Sequence, residues 1–125
     1  MQLNAGRITT HVLDTSKGVP AAGVRIELYT VKRLGNDEER ISKVKESLTN
    51  PDGRLDAPLL PEGELEEGEY ELRFHVDQYF AQAQAETTHV LWTVVPIRFA
   101  VKDTGSHYHI PLLIAPGGYS TYRGS

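Results

Sequence analysis

Alternation with a period of two residues governs most of this chain. Tyr70, Leu72, Phe74 and Val76 fall on one side of an extended segment. Val24, Ile26 and Leu28 do the same in another, with Arg25, Glu27 and Tyr29 on the opposite side. That spacing puts apolar side chains on one face of a sheet and polar ones on the other. Clusters of Gly, Pro and Asp cut the chain into short runs of this kind, which is the pattern of an all-β domain.

Residues 7–13, 24–32, 41–49, 69–76, 90–101, 108–115 and 119–123 read as strands, the run 108–115 carrying Pro111. The polar segment 34–40 reads as a solvated loop or a long hairpin tip. Asn50, Pro51, Asp52 and Gly53 suit a tight turn, so Arg54 leaves that turn directly. Residues 58–68 form a connection rich in Pro, Gly and Glu, and Pro116, Gly117 and Gly118 form a turn into the last strand. In 78–86 Ala and Gln recur and β-branched residues vanish, which predicts the one short helix. About eight strands with one helix predict a two-sheet β-sandwich.

At 125 residues the chain is long enough for one core, and residues 1–125 are expected to form a single domain. The net charge of −4 argues against nucleic acid as the main partner. There is no cysteine, so thiolate catalysis and Cys-based zinc sites are excluded. The first seven residues lack the apolar core of a signal peptide and no run approaches a membrane span. The cytoplasm is the expected compartment, with no membrane partner.

His107 and His109 stand two apart, so a strand directs both to the same face. Such a pair can sit on a solvated sheet face, bind a metal, or act as a general base near neutral pH. His11 lies in the first strand, and three histidines could ligate zinc. His11, His107 and His109 lack the carboxylate spacing of a His-Glu-x-x-His motif, which weakens that reading. Arg54 is either an exposed turn charge or a planar fork for a carbonyl-rich or anionic substrate. The tail brings two phenols, Arg123 and a terminal carboxylate, and reads either as a plain last strand or as part of a site. His75 and His89 receive no role. The acidic clusters at 37–39 and 62–71 read as solvated surface, and no phosphate loop or nucleophile elbow is present.

Four motifs carry a resemblance: Thr9-Thr-His-Val-Leu-Asp-Thr-Ser-Lys-Gly-Val-Pro-Ala21, the turn Asp52-Gly-Arg54, His107-Tyr-His-Ile-Pro-Leu-Leu113, and the ending Tyr122-Arg-Gly-Ser125. Together they resemble, in order and nearly end to end, the 5-hydroxyisourate hydrolases, the transthyretin-related enzymes of urate breakdown. The resemblance implies a transthyretin-like sandwich assembled as a homotetramer, a dimer of dimers, with active sites in a channel between dimers. It implies hydrolysis of 5-hydroxyisourate to 2-oxo-4-hydroxy-4-carboxy-5-ureidoimidazoline without a cofactor or metal.

Carried over by position, the catalytic residues are His11, Arg54, His109 and Ser125. The substrate-binding set is His11, Arg54, Tyr122, Arg123, Gly124 and His107. The chain departs from the family pattern between residues 81 and 96 and at Pro116-Gly-Gly118. A carrier that binds an aromatic ligand without consuming it is the alternative on the same sandwich, and a zinc site at His11, His107 and His109 is another.

Overall fold

The computed structural model describes residues 6–83 and 89–125. Its elements are β1 (Arg7–Asp14), β2 (Val19–Pro20), β3 (Arg25–Gly35), β4 (Glu38–Leu48), β5 (Gly68–His75), α1 (Val76–Ala83), β6 (Val94–Val101), β7 (His107–Ala115) and β8 (Gly118–Thr121). They form two four-stranded sheets, one in the order β2-β1-β7-β8 and the other β4-β3-β5-β6. This is the sandwich that the alternation predicts.

The core lies between the sheets. Ile8 and Val12 of β1 and Tyr108, Ile110, Leu112 and Ile114 of β7 meet Ile26, Leu28, Leu72 and Phe74 of the other sheet. β1 and the first half of β7 bury alternate residues, so the opposite face of the first sheet carries Thr9 and His11 of β1 beside His107 and His109 of β7. β1 and β7 run parallel, with Thr9 beside His109 and His11 beside Pro111. A parallel pair requires a long crossover rather than a hairpin, and here most of the chain intervenes.

Several element boundaries differ from the sequence expectation. Of the two readings of the polar segment 34–40, the hairpin tip holds: β3 and β4 continue into it and turn at Asn36 and Asp37, with φ of 53° and 63°. Positive φ at both central residues matches the sharp twist of a two-residue hairpin, and Asn and Asp tolerate it. The strand expected at 41–49 begins three residues earlier, at Glu38; charges hide that start because β4 is solvent-facing along nearly its whole length. The helix starts at Val76, earlier than expected, and the expected end at 84–86 lies outside the described residues. Its Tyr79 and Phe80 are buried, and the Tyr79 hydroxyl donates to Oδ2 of fully buried Asp14 at 2.7 Å. That bond fastens the helix to the end of β1. The short β2 was not expected; two residues paired to Leu13 and Asp14 leave no periodicity to read.

The last strand is interrupted rather than ended. β8 pairs Thr121 with Leu112, and the isolated pairing of Gly124 with His109 keeps the same register. Pro111 lies in the gap and has no N–H to give, so the ladder breaks there and resumes beyond it. The Thr121 hydroxyl donates to the Pro111 carbonyl at 2.6 Å, and the Gly124 N–H donates to the His109 carbonyl at 2.8 Å. These bonds seat the tail alongside the histidine strand.

Candidate active site

A cavity of about 450 Å³ opens on the outer face of the first sheet, lined by Arg7, Thr9, Arg54, His107, His109 and Ser125 among others. β1 and β7 supply one wall because their outward residues alternate with core residues. The Thr9 hydroxyl oxygen lies 2.5 Å from Nε2 of His107 and 2.7 Å from Nδ1 of His109, joining the two imidazoles through a single O–H.

The second wall is the turn before Arg54. Oδ1 of Asn50 accepts from the N–H groups of Asp52 and Arg54, and its amide donates to Asp56 at 2.9 Å. The Gly53 carbonyl accepts from the Val12 N–H at 2.8 Å, which docks the turn against β1. Gly53 has φ of 76°, and a Cβ there would lie 2.3 Å from the Val12 carbonyl oxygen, so only glycine fits. The turn thereby holds the exposed Arg54 guanidinium on the histidine side of the sheet.

Both histidines of β7 titrate below the usual imidazole range. For His109 the causes are burial first, then the charges of His107, Arg54 and His11; for His107 they are burial, Arg7 and Arg123. Both are therefore neutral at neutral pH, the state in which an imidazole nitrogen can accept a proton. Surrounding cations lower the basicity, yet they also favour any negative charge that develops in the cavity.

The expected site residues divide into three groups. Arg54, His107, His109 and Ser125 line the cavity together, and Gly124 bonds to the His109 backbone. His11 is one step further along the same face of β1, half-buried, against Gly53. Tyr122 and Arg123 do not line this cavity; both border a hollow of about 290 Å³ with Ile97, Phe99, Tyr108 and Ile110. Arg123 stacks its guanidinium over the Tyr108 ring at 4.6 Å and leans on the His107 carbonyl. Sequence reasoning missed Thr9 and Arg7 as cavity residues, since their place depends on the β1–β7 register. Among the described residues no group of three or more His, Cys, Asp or Glu side chains is arranged to hold a metal ion.

The family model described as HIUase/Transthyretin matches residues 8–124. The chain belongs to that family. The 5-hydroxyisourate hydrolase of Halalkalibacterium halodurans is 51% identical over 122 residues, which is 97% of this chain and 99% of that protein. Among solved structures, the family fold is matched by 5-hydroxyisourate hydrolase of Klebsiella pneumoniae, with a TM-score of 0.76 and 37% identity over 96% of this chain and 99% of that one. A crystal structure of (S)-allantoin synthase matches with a TM-score of 0.84 and 37% identity; it covers 98% of this chain, which spans 45% of that longer one.

Proposed function

We propose that this chain is a hydrolase of 5-hydroxyisourate that opens the six-membered ring to give 2-oxo-4-hydroxy-4-carboxy-5-ureidoimidazoline. The observation that carries the reading is the joint presence of neutral His109, Arg54 and the seated tail around one cavity. An identity of 51% over nearly the full length to a protein named for that activity supports it.

Water attacks the ring acyl carbon: a C–O bond forms and the acyl C–N bond breaks. One water proton passes to His109 and then to the departing nitrogen, with His11 nearby; the other stays on the new carboxyl group. Arg54 faces the carbonyl oxygens and stabilises the oxyanion that develops on one of them. Ser125 and Gly124 close the cavity beside His109, which orients substrate and limits bulk water. The step needs no cofactor and no metal.

Residues 1–125 act as one domain, and the active form is a homotetramer, a dimer of dimers. An opposed copy of the first sheet would cover the cavity, which in one protomer is open, and would bring Tyr122 and Arg123 of neighbouring copies toward substrate. The protein acts in the cytoplasm; no described helix is long and apolar enough to cross a membrane.

Replacing His109 with Asn tests the reading. General base catalysis contributes roughly 100- to 10,000-fold, so turnover is expected to fall into that range with the far-ultraviolet circular dichroism unchanged. Near-wild-type ring opening by the folded variant would overturn the assignment of His109. A carrier would instead bind the ring compound and return it intact.

A further inference from the structure

We propose that Thr9 is a positioning residue that fixes the tautomers of both imidazoles, keeping Nε2 of His109 available as the base. The inference rests on the hydrolase reading above. Its basis is a count of protons. The Thr9 oxygen sits within hydrogen-bond distance of Nε2 of His107 and Nδ1 of His109 and has one hydrogen to donate. At most one imidazole can therefore accept from it, so at least one must donate to it.

Only an arrangement in which His109 donates suits a base at its Nε2. If Thr9 donates to Nδ1 of His109, the neutral ring carries its proton on Nε2, and the nitrogen left over for water is already occupied. If Nδ1–H of His109 donates to Thr9 instead, Nε2 keeps its lone pair, and the Thr9 hydrogen goes to Nε2 of His107. The second arrangement also survives catalysis: once Nε2 takes a proton, Nδ1–H still donates to Thr9 and nothing has to turn. Both imidazoles and the hydroxyl lie on strands paired in register, so the hydroxyl is held in place by the sheet.

The same geometry makes His107 a controller of His109. A protonated His107 would point Nε2–H at Thr9 and displace the Thr9 hydrogen; Nδ1 of His109 is the other imidazole nitrogen in its reach, and donation there favours the tautomer with the proton on Nε2. Keeping His107 neutral keeps the base competent. The cations facing the pair press that way: Arg7 from β1 and Arg123 from the tail act on His107, while His11 from β1 and Arg54 from the turn act on His109. Asp56 and Ser125 complete the cavity wall.

The test has a kinetic and a spectroscopic arm. Thr9→Val keeps the β-branched shape and removes the hydroxyl, whereas Thr9→Ser keeps the hydroxyl. In Thr9→Val, kcat is expected to fall about tenfold, the equivalent of one neutral hydrogen bond, with KM within about twofold of wild type on the same scale of effect. The acid limb of kcat should move to lower pH, because His107 no longer reports to His109 and Nδ1–H loses its acceptor. Thr9→Ser should restore both rate and limb. A Thr9→Val enzyme with wild-type kcat and pH limb overturns the proposal.

Independently, nitrogen-15 NMR of the wild-type protein at neutral pH should find His109 protonated at Nδ1. A proton on Nε2 overturns the proposal even if every variant misfolds. Failure of the wild-type protein to accelerate ring opening would instead remove the hydrolase reading, and the NMR result would still stand on its own.

Discussion

Gly124→Ala adds a single methyl group at the point where the tail meets the base. A Cβ at that position would lie 2.5 Å from Cδ2 and 3.3 Å from Cγ of His109, and 3.1 Å from Cγ of Pro111. Carbon atoms pack at about 3.5–4.0 Å, so the His109 ring must retreat by about 1 Å or the tail must lift away. The backbone of Gly124 is not left-handed, so the strain is purely steric. Pro111 is a stiff ring on the flank and cannot yield as a flexible side chain would.

Lifting the tail gives up the Gly124–His109 backbone bond and limits the loss of stability to about 1 kcal/mol. Activity has no such limit, because either relaxation spoils the site. A displacement of about 1 Å in a catalytic group can reduce the rate about 100-fold, or about 2.7 kcal/mol in the barrier. The assay is kcat and KM for 5-hydroxyisourate, with urea unfolding measured on the same preparation. Gly117→Ala is the control, since nothing lies within 4 Å of a Cβ added there, and it should match wild type. If Gly124→Ala retains kcat/KM within about twofold of wild type, the seating of the tail against His109 has no catalytic role and the reasoning fails.

Three further outcomes are expected. Gly53→Ala combines a left-handed φ with a 2.3 Å clash on the Val12 carbonyl, so it should destabilise the fold by at least roughly 1–3 kcal/mol and weaken substrate binding through Arg54; unchanged urea midpoint and KM would contradict this. Tyr79→Phe leaves Oδ2 of buried Asp14 without its donor and should lower stability by roughly 1–3 kcal/mol with little change in kcat, read by thermal unfolding and kinetics; a melting temperature equal to wild type would count against that role. His109 resists protonation in the folded state because of burial and the neighbouring His107, Arg54 and His11. Its protonated form is inactive, so kcat should hold as pH falls past the ordinary imidazole value of about 6.5 and decline only below it. The unfolded chain takes up that proton first, so stability should fall with pH from about 6.5 downward. A kcat midpoint above that value would refute the assignment.

Much of the sandwich was legible because its signal is local. Alternation in the segments containing Val24 to Leu28 and Tyr70 to Phe74 states which side is buried, and Asn50 to Gly53 states where the chain reverses. β4 was only partly legible, since its exposed charges carry no core face. They belong to an ionic network on the outer face of the second sheet, in which Glu27 is central. Burial acts to raise the Glu27 carboxyl, but hydrogen bonds from His75, Lys43 and Tyr29 outweigh it and hold it down to about 2. His75, given no role by its sequence position, bonds that carboxylate at 2.7 Å.

Of the site, His109, His107, Arg54 and Ser125 were reached through spacing and resemblance, and the structure brings them to one cavity. Thr9 was not reached as a site residue, because its hydroxyl matters only through a parallel register across 100 residues. The division of the tail, with Gly124 and Ser125 toward the histidines and Arg123 toward Tyr108, is likewise a matter of register, set by the pairing of Gly124 with His109.

Generating 5-hydroxyisourate from urate in solution and following its ultraviolet decay, with and without this protein, tests the central claim most directly. The account predicts decay faster than the spontaneous rate, saturating with substrate and lost in His109→Asn. Decay at the spontaneous rate in the presence of the folded protein would contradict it.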